Sequence, residues 1–419
     1  MEAMDTPSPV PALATEPRFA QRLRKYLEEE QVLDGRYRLQ EVPGGCVALP
    51  VLEEKLSGLR LPQGLPCELL QIQEPVPSRA ARRQPPARRL RDELQRLLGE
   101  SWSEELEQDV PRTWQRHGDL VLLSDDSFRA AAWEELGQRL WQTVAWALGA
   151  RRLARQGRVL PDGLRSPNVT LLLGQDGWVE HVDNGIRYTF DVTKCMFSPG
   201  NITEKLRVAA LPCAGEVLVD LYAGIGYFTL PYLVHAAAAF AHACEWNSHA
   251  VEALRRNLVL NGVQGRCRVH HGDSRQLELQ DVADRVNLGL LPSSEEGWPV
   301  ACRLLKKGTG GVLHIHHNVE TLPTPAPPQS PAPRAEEGAP EGAGSGAEAQ
   351  HPGQDGRARS RAEWQRWAEA TAARIRGLLA ELHGQPWHTR VLHIEAVKSY
   401  APHVHHLVLD LECRPPAPP

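Results

Sequence analysis

The sequence lacks several features that would mark a secreted or membrane-bound protein. No apolar run approaches the ~20 residues that a membrane-spanning helix needs. The N-terminal stretch MEAMDTPSPVPALATEPR is acidic and proline-rich, without the basic and apolar regions of a secretory signal. The eight cysteines include no Cys-x-x-Cys pair, so we expect free thiols, no disulfide framework and no zinc site. These absences predict a cytoplasmic protein without a membrane segment.

Lysine is also scarce, since only seven of the 47 basic residues are lysine. The net charge of −5 argues against a uniformly basic nucleic-acid binder. Arginine is nevertheless concentrated in residues 75–91, PVPSRAARRQPPARRLR, which hold six arginines and no acid. Two interpretations stay open for this segment, a solvated linker or an arm that contacts nucleic-acid phosphates. The unbalanced charge favours the second.

Length and pattern predict three parts. A chain of 419 residues is long for one domain. Residues 1–110 are an N-terminal region that we expect to contact nucleic acid, and residues 111–197 are a small α+β module with a hairpin signal at Asn184-Gly185. Residues 198–419 alternate strands with helices, which predicts a parallel sheet covered on both faces. Within this third part, residues 321–360 hold eight prolines and six glycines, and we expect a disordered insert there.

Seven strands can be assigned to the third part. Five of them, EVLVDLYAG, AFAHACEWN, CRVHHGD, RVNLGLLP and GGVLHIHHN, are separated by helical segments. A long helix then leads to TRVLHIEAV and HHLVLDLECR, which are close enough in sequence to pair antiparallel. Seven strands that end in a hairpin predict an α/β fold with a class I methyltransferase-like Rossmann sheet.

The stretch VLVDLYAGIGYFTLP contains the turn that says most about a ligand. Its strand ends at Asp220, and glycines follow at Gly224 and Gly226. In open α/β sheets, ligands bind beyond the carboxyl ends of the strands, where glycine lets the backbone come close. A dinucleotide-binding turn would have a third glycine where Thr229 stands, and a P-loop would end in Gly-Lys-Ser or Gly-Lys-Thr. The turn alone leaves the ligand open.

Acids at the ends of the next two strands narrow the choice. Glu245 ends the second strand, where a carboxylate accepts hydrogen bonds from a ribose diol. Asp273 ends the third strand, within reach of an adenine amino group, and Ser274 stands beside it. Together with Asp220, these carboxylates would repel a phosphate. The pattern predicts S-adenosylmethionine as co-substrate, because this cation carries a ribose, an adenine and an amino-acid tail.

The carboxylate of that tail needs a partner. Lys205 and Ser198, both in FSPGNITEKLR ahead of the first strand, are the predicted partners. Structural alternatives stay open, because Asp220 and Asp273 could cap a turn and a helix, and Lys205 could face solvent. The predicted cofactor-binding residues are Ser198, Lys205, Asp220, Gly224, Gly226, Glu245, Asp273 and Ser274.

Four segments carry a resemblance to a known superfamily: DVTKCMFSPGNITEKLRVA, DLYAGIGYFTLP, HACEWNSHAVEALRRNLVLNGV and VKSYAPHVHHLVLDLECR. Together they resemble the tRNA guanine N1 methyltransferases and wybutosine-synthesising enzymes, over about residues 110–419. Within that superfamily, CMFSPGN and NLGLLPSSEEGWPVACRLL resemble the aminocarboxypropyltransferase branch. The methyltransferase branch typically has Asn-Pro-Pro after the fourth strand, whereas this chain has Asn287-Leu288-Gly289.

The resemblance implies an enzyme that transfers the 3-amino-3-carboxypropyl group of S-adenosylmethionine. The implied acceptor is 4-demethylwyosine, next to the anticodon of phenylalanine tRNA, and methylthioadenosine would be released. The alternative within the superfamily is a tRNA guanine N1 methyltransferase, and a third hypothesis is a tRNA-binding partner without activity. We expect a monomer that binds tRNA, and the sequence identifies no catalytic residue.

Two histidine clusters invite a metal hypothesis. HIHHN covers residues 314–318 and HVHH covers residues 403–406. Neither cluster brings a cysteine or nearby carboxylates at the spacing of a zinc site. We therefore expect strand-end and surface histidines here, and no bound metal.

Overall fold

A computed structural model describes residues 9–61, 64–79, 83–160, 166–321, 352–401 and 403–416. Internal contacts divide the chain into two compact units, residues 1–159 with 168–177, and residues 160–167 with 178–419. The three-part division at residues 110 and 197 stays a prediction. Within the described ranges, no helix combines the length and the apolar character needed to cross a membrane.

The first unit begins with a four-stranded antiparallel sheet. Its strands are β1 Val10–Thr15, β2 Gln40–Val42, β3 Cys46–Pro50 and β4 Glu68–Ile72, in the order β2-β3-β1-β4. Two helices accompany it, α1 Pro17–Glu29 and α2 Glu53–Leu56. The leucines of α1 that share one face pack against leucines of β1 and β3, and this contact forms the core of the sheet.

A second four-stranded sheet completes this unit. Its strands are β5 Gln115–His117, β6 Leu120–Ser124, β7 Arg152–Gln156 and β8 Val169–Leu173, in chain order. The accompanying helices are α3 Pro86–Leu98, α4 Glu104–Asp109, α5 Ala131–Glu134 and α6 Gln138–Leu148. Trp133 is buried in the core between them, and its indole N–H donates to Asp109 at 2.8 Å.

The arginine-rich segment 75–91 lies partly in this unit, although residues 80–82 fall outside the described part. Arg89 donates to the carbonyl of Ala147 near the end of α6, and Arg91 pairs with Glu107 at 2.9 Å. These two arginines therefore have structural partners. Contact of the segment with nucleic acid stays a prediction.

The second unit starts with a hairpin of β9 Trp178–Asp183 and β10 Ile186–Asp191. Asn184 and Gly185 connect the strands with φ angles of 48° and 76°. Two adjacent residues with positive φ angles are typical of the tight turns that match the twist of antiparallel strands. The hairpin predicted from the Asn-Gly pair is confirmed.

A seven-stranded sheet forms the centre of the second unit, in the order β13-β12-β11-β14-β15-β17-β16. Its strands are β11 Val217–Asp220, β12 Phe240–Glu245, β13 Cys267–His271, β14 Arg285–Leu288, β15 Gly311–Glu320, β16 His388–Ala401 and β17 Val404–Arg414. Strands β11 to β15 are parallel, and β17 runs antiparallel to both β15 and β16. The predicted seven-stranded Rossmann sheet is confirmed.

Helices complete this unit. They are α7 Ile202–Ala209, α8 Thr229–Val234, α9 Ser248–Leu260, α10 Trp298–Leu304 and α11 Pro352–His383. The core below α10 and α11 contains Trp298, Ile315 and Leu409, all nearly inaccessible to solvent. Of the insert predicted over residues 321–360, residues 322–351 lie outside the described part, and α11 begins at Pro352.

Candidate cofactor-binding site

A cavity of about 390 Å³ lies at the carboxyl ends of β11, β12, β13 and β14. Strand order reverses between β11 and β14, which is where open α/β sheets bind ligands. Its volume falls in the range of roughly 300–1,000 Å³ that is common for cofactor sites. Five of the residues predicted to bind the cofactor line it together: Ser198, Gly224, Glu245, Asp273 and Ser274.

Asp220, at the end of β11, is fully buried and does not belong to the cavity wall. Its carboxylate accepts hydrogen bonds from the Thr229 hydroxyl at 2.8 Å and from the Asn287 amide at 3.0 Å. Burial raises the pKa of Asp220, while these donors lower it. Through these hydrogen bonds the side chain connects β11, β14 and the start of α8. A direct role of Asp220 with the cofactor stays a prediction.

The two glycines after β11 have different surroundings. Gly224 lines the cavity and has a φ of 56°. Gly226 has a φ of 100° and is not among the residues that line the cavity. A Cβ on Gly226 would lie 3.1 Å from side-chain atoms of Leu230 and Leu254. Glycine is required at 226 by this conformation and by the close packing. Contact of Gly226 with the cofactor stays a prediction.

Glu245 presents a preorganised carboxylate to the cavity. Its Oε2 accepts the backbone N–H of Gly224 at 2.8 Å, and its Oε1 accepts that of Asn247 at 2.8 Å. Burial raises the pKa of Glu245, and the backbone donors oppose this shift. Each oxygen keeps a second lone pair, so both can still accept a hydroxyl. The geometry fits a ribose diol.

Asp273 and Ser274 form the wall beyond β13. The Asp273 carboxylate accepts the backbone N–H of Arg275 at 2.9 Å and its guanidinium at 2.7 Å. These hydrogen bonds lower the pKa of Asp273. Arg275 also donates to Glu296 at 2.9 Å, so carboxylates on two sides neutralise its charge. Asp273 thus caps the turn and lines the cavity.

The structure places Lys205 outside the cavity wall. Its buried ammonium donates to Asp183 at 2.8 Å and lies 4.6 Å from the ring centre of Tyr188. Burial lowers the pKa of Lys205, whereas Asp183 raises it. Through its contacts with Asp183 and Tyr188, this lysine packs against the hairpin of β9 and β10. Its assignment to the cofactor stays a prediction.

Lys398 is a cavity residue that the sequence did not single out. It lies on β16 and donates to the Ser198 hydroxyl at 3.1 Å. The pairing of β16 with β17 shifts register between Ala396 and Lys398 and again between Ser399 and Ala401. Such bulges bend a strand and redirect its side chains. The only sequence signal was a rare lysine within VKSYAP, a segment already quoted for its resemblance.

His314, His316 and His406 of the two clusters are buried in the sheet, so the expectation of surface histidines is wrong for these three. Nδ1 of His314 contacts Asp410 at 2.7 Å, and Nδ1 of His316 lies 3.0 Å from Nε2 of His406. Burial lowers the pKa of His406 to about 4, and the charge of Lys398 acts in the same direction. Across the described residues, no group of three or more histidine, cysteine or acidic side chains could hold a metal ion.

Comparisons with known proteins place this geometry in a family. Residues 12–81 and 94–177 match two models of the TYW2 N-terminal domain, and residues 179–331 match the TRM5/TYW2 methyltransferase domain. The tRNA wybutosine-synthesizing protein 2 homolog of Rattus norvegicus is 58% identical over 99% of this chain and 99% of its own. The human homolog is 56% identical over 98% of this chain and 95% of its own.

The chain belongs to the tRNA wybutosine-synthesizing protein 2 family. The resemblance inferred from the sequence is thereby confirmed. Among solved structures, TYW2 of Pyrococcus horikoshii in complex with MeSAdo is 27% identical, with a TM-score of 0.52. The match covers 77% of this chain and 98% of that one. Trm5b of Pyrococcus abyssi is 20% identical with a TM-score of 0.51, over 97% of this chain and 99% of that one, which supports the fold alone.

Proposed function

We propose that this protein transfers the 3-amino-3-carboxypropyl group of S-adenosylmethionine to 4-demethylwyosine next to the anticodon of phenylalanine tRNA. Methylthioadenosine is the small product. The observation that carries the proposal is the cavity at the switch point of the sheet, which is lined by Glu245 and Asp273. A carboxylate for the ribose diol and a second one beside the adenine match the adenosyl part of S-adenosylmethionine.

The relatives support this choice of reaction. The structure of Pyrococcus horikoshii TYW2 contains MeSAdo, which is what remains of S-adenosylmethionine after the amino-acid side arm has left. The match to tRNA wybutosine-synthesizing homologues, 58% and 56% identical over nearly the full length of the chain, supports a tRNA acceptor. The tRNA species and the wyosine-type base are the finer part of the proposal. A cytoplasmic location and a monomeric state stay predictions from the sequence.

Bound S-adenosylmethionine supplies an electrophilic carbon atom, which is attached to its sulfonium sulfur. The acceptor atom of the base forms a bond to the side-arm carbon, the carbon–sulfur bond breaks, and its electron pair stays on sulfur. The acceptor atom releases its proton to solvent. The contribution of this chain is to hold the side-arm carbon in line with the acceptor, within roughly 3–3.5 Å. Residues that orient the two ends of the substrate therefore decide which group moves.

Product analysis tests the proposal. Purified protein is incubated with S-adenosylmethionine and tRNA from cells that lack the protein, and the small products are separated by chromatography. We expect methylthioadenosine in an amount equal to the modified nucleoside measured by mass spectrometry. S-Adenosylhomocysteine as the product, with methylated guanosine in the tRNA, would instead establish the methyltransferase alternative. Absence of any cofactor binding by calorimetry would support the inactive tRNA-binding hypothesis.

A further inference from the structure

We propose that Lys398 and Asn201 bind the amino-acid end of S-adenosylmethionine, with Lys398 taking the α-carboxylate and Asn201 the α-ammonium. This inference rests on the proposed function and deepens it, because it names the residues that orient the transferred group. Both side chains line the cavity, and Ser198 lies beside them. Neither residue was assigned a role from the sequence.

The charge balance of the cavity points to Lys398. Two cationic side chains line it, Arg275 and Lys398. Arg275 is paired with Asp273 at 2.7 Å and with Glu296 at 2.9 Å. Lys398 instead donates to a neutral hydroxyl, and no carboxylate among the residues that the structure describes lies within ion-pair distance of it. An ammonium whose charge is not neutralised is suited to an anionic ligand group.

The surroundings of Lys398 fix the position of its ammonium. Nζ lies 4.5 Å from the ring centre of Tyr400 and 3.1 Å from the Ser198 hydroxyl. A Cβ on Gly200 would lie 3.0 Å from Nζ and 3.2 Å from Cδ of the lysine. Glycine at 200 therefore leaves the space that the lysine occupies. Further N–H donors of the ammonium remain for a carboxylate.

Asn201 supplies a second, independent observation. Its Oδ1 is buried and has no hydrogen-bond partner in the described part of the chain. It precedes α7 without capping it through its side chain. A buried acceptor without a partner is unfavourable unless a ligand donates to it. An α-ammonium is a donor of this kind, and it is joined to the carboxylate that Lys398 would hold.

These two contacts give the site its preference for one group. A carboxylate on Lys398 and an ammonium on Asn201 hold the α-carbon of the amino acid, while Glu245 holds the ribose. With both ends held, rotation about the sulfonium is restricted, and one of its three carbons is presented to the acceptor. Lys398 and Asn201 are therefore positioning residues for the transfer.

Calorimetry with two ligands tests the inference, because methylthioadenosine lacks the amino-acid end. For Lys398→Met we expect the Kd of S-adenosylmethionine to rise about tenfold to a hundredfold, as for loss of a charged hydrogen bond. For Asn201→Ala we expect a rise of about tenfold. In both variants the Kd of methylthioadenosine should change less than twofold. Lys307→Met, an exposed lysine outside the cavity, is the matched control and should bind both ligands like the parent protein.

Two further variants guard against a folding artefact. Gly200→Ala should weaken S-adenosylmethionine binding by displacing the Lys398 ammonium, whereas Lys398→Arg should retain part of the affinity. Unchanged S-adenosylmethionine binding in Lys398→Met, or an equal loss for both ligands, would overturn the inference and leave the proposed function standing. If the parent protein bound neither ligand, the proposed function itself would fail.

Discussion

Replacement of Glu245 by glutamine tests the adenosyl end of the site. In the parent protein each carboxylate oxygen accepts one backbone N–H at 2.8 Å, from Gly224 and from Asn247. Glutamine replaces one of these oxygens by an NH₂ group, which cannot accept. One backbone N–H is then left without an acceptor, and we expect the free energy of unfolding to fall by about 1–3 kcal/mol.

Ligand binding by Glu245→Gln should weaken for a separate reason. The ribose hydroxyls lose a charged acceptor, and a hydrogen bond to a charged group contributes about 1.5–3 kcal/mol. A loss of about 2 kcal/mol corresponds to a rise in Kd of about thirtyfold. Methylthioadenosine should be affected as strongly as S-adenosylmethionine, because both carry the ribose.

The assays are chemical denaturation without ligand and isothermal titration calorimetry with each ligand. Glu252→Gln is the matched control, since Glu252 is exposed on α9 and pairs only with Arg256 across one helical turn among the described ion pairs. A Glu245→Gln protein that binds both ligands within threefold of the parent would refute the placement of the ribose at this carboxylate.

Three further predictions concern stability. Asp220→Ala leaves the Thr229 hydroxyl and the Asn287 amide without their acceptor, so urea denaturation should report a loss of about 3 kcal/mol; a change below about 0.5 kcal/mol would contradict it. In Gly226→Ala the new Cβ would lie 3.1 Å from neighbouring side chains, at a residue with a φ of 100°. We expect the free energy of unfolding to fall by about 1–3 kcal/mol in urea denaturation. An unchanged denaturation midpoint would contradict this prediction. The buried His406 has its pKa lowered from 6.5 to about 4, so the unfolded chain takes up the proton first as pH falls. The contribution of His406 to the free energy of unfolding should therefore be fully present above pH 6.5 and decrease by on the order of 3 kcal/mol towards pH 4. The decrease should be smaller in His406→Gln, and an identical pH dependence of unfolding in that variant would contradict the assignment.

The sheet could be predicted from the sequence because each signal for it is local. The alternation of apolar strands with helices predicts a parallel sheet, and Asn184-Gly185 predicts the hairpin. The approach of Glu245 and Asp273 follows from the same logic, since parallel strands bring their carboxyl ends to one edge.

The position of Lys398 in the cavity wall could not be predicted in this way. Lys398 reaches Ser198 across 200 positions of the sequence, and it does so through bulges in β16 that no local pattern specifies. Lys205 lies closer in sequence to the first strand, but Asp183 of the hairpin holds its ammonium. Similarly, the burial of Asp220 is a property of packing between β11 and β14. Tertiary contacts therefore decide which lysine lines the cavity.

A crystal structure of the protein with bound S-adenosylmethionine tests the central claim most directly. We expect electron density in the cavity beyond β11 and β12, with the ribose hydroxyls within hydrogen-bond distance of the Glu245 carboxylate and the adenine next to Asp273 and Ser274. Density for the ligand elsewhere on the chain, or in this cavity without any contact to Glu245, would contradict it.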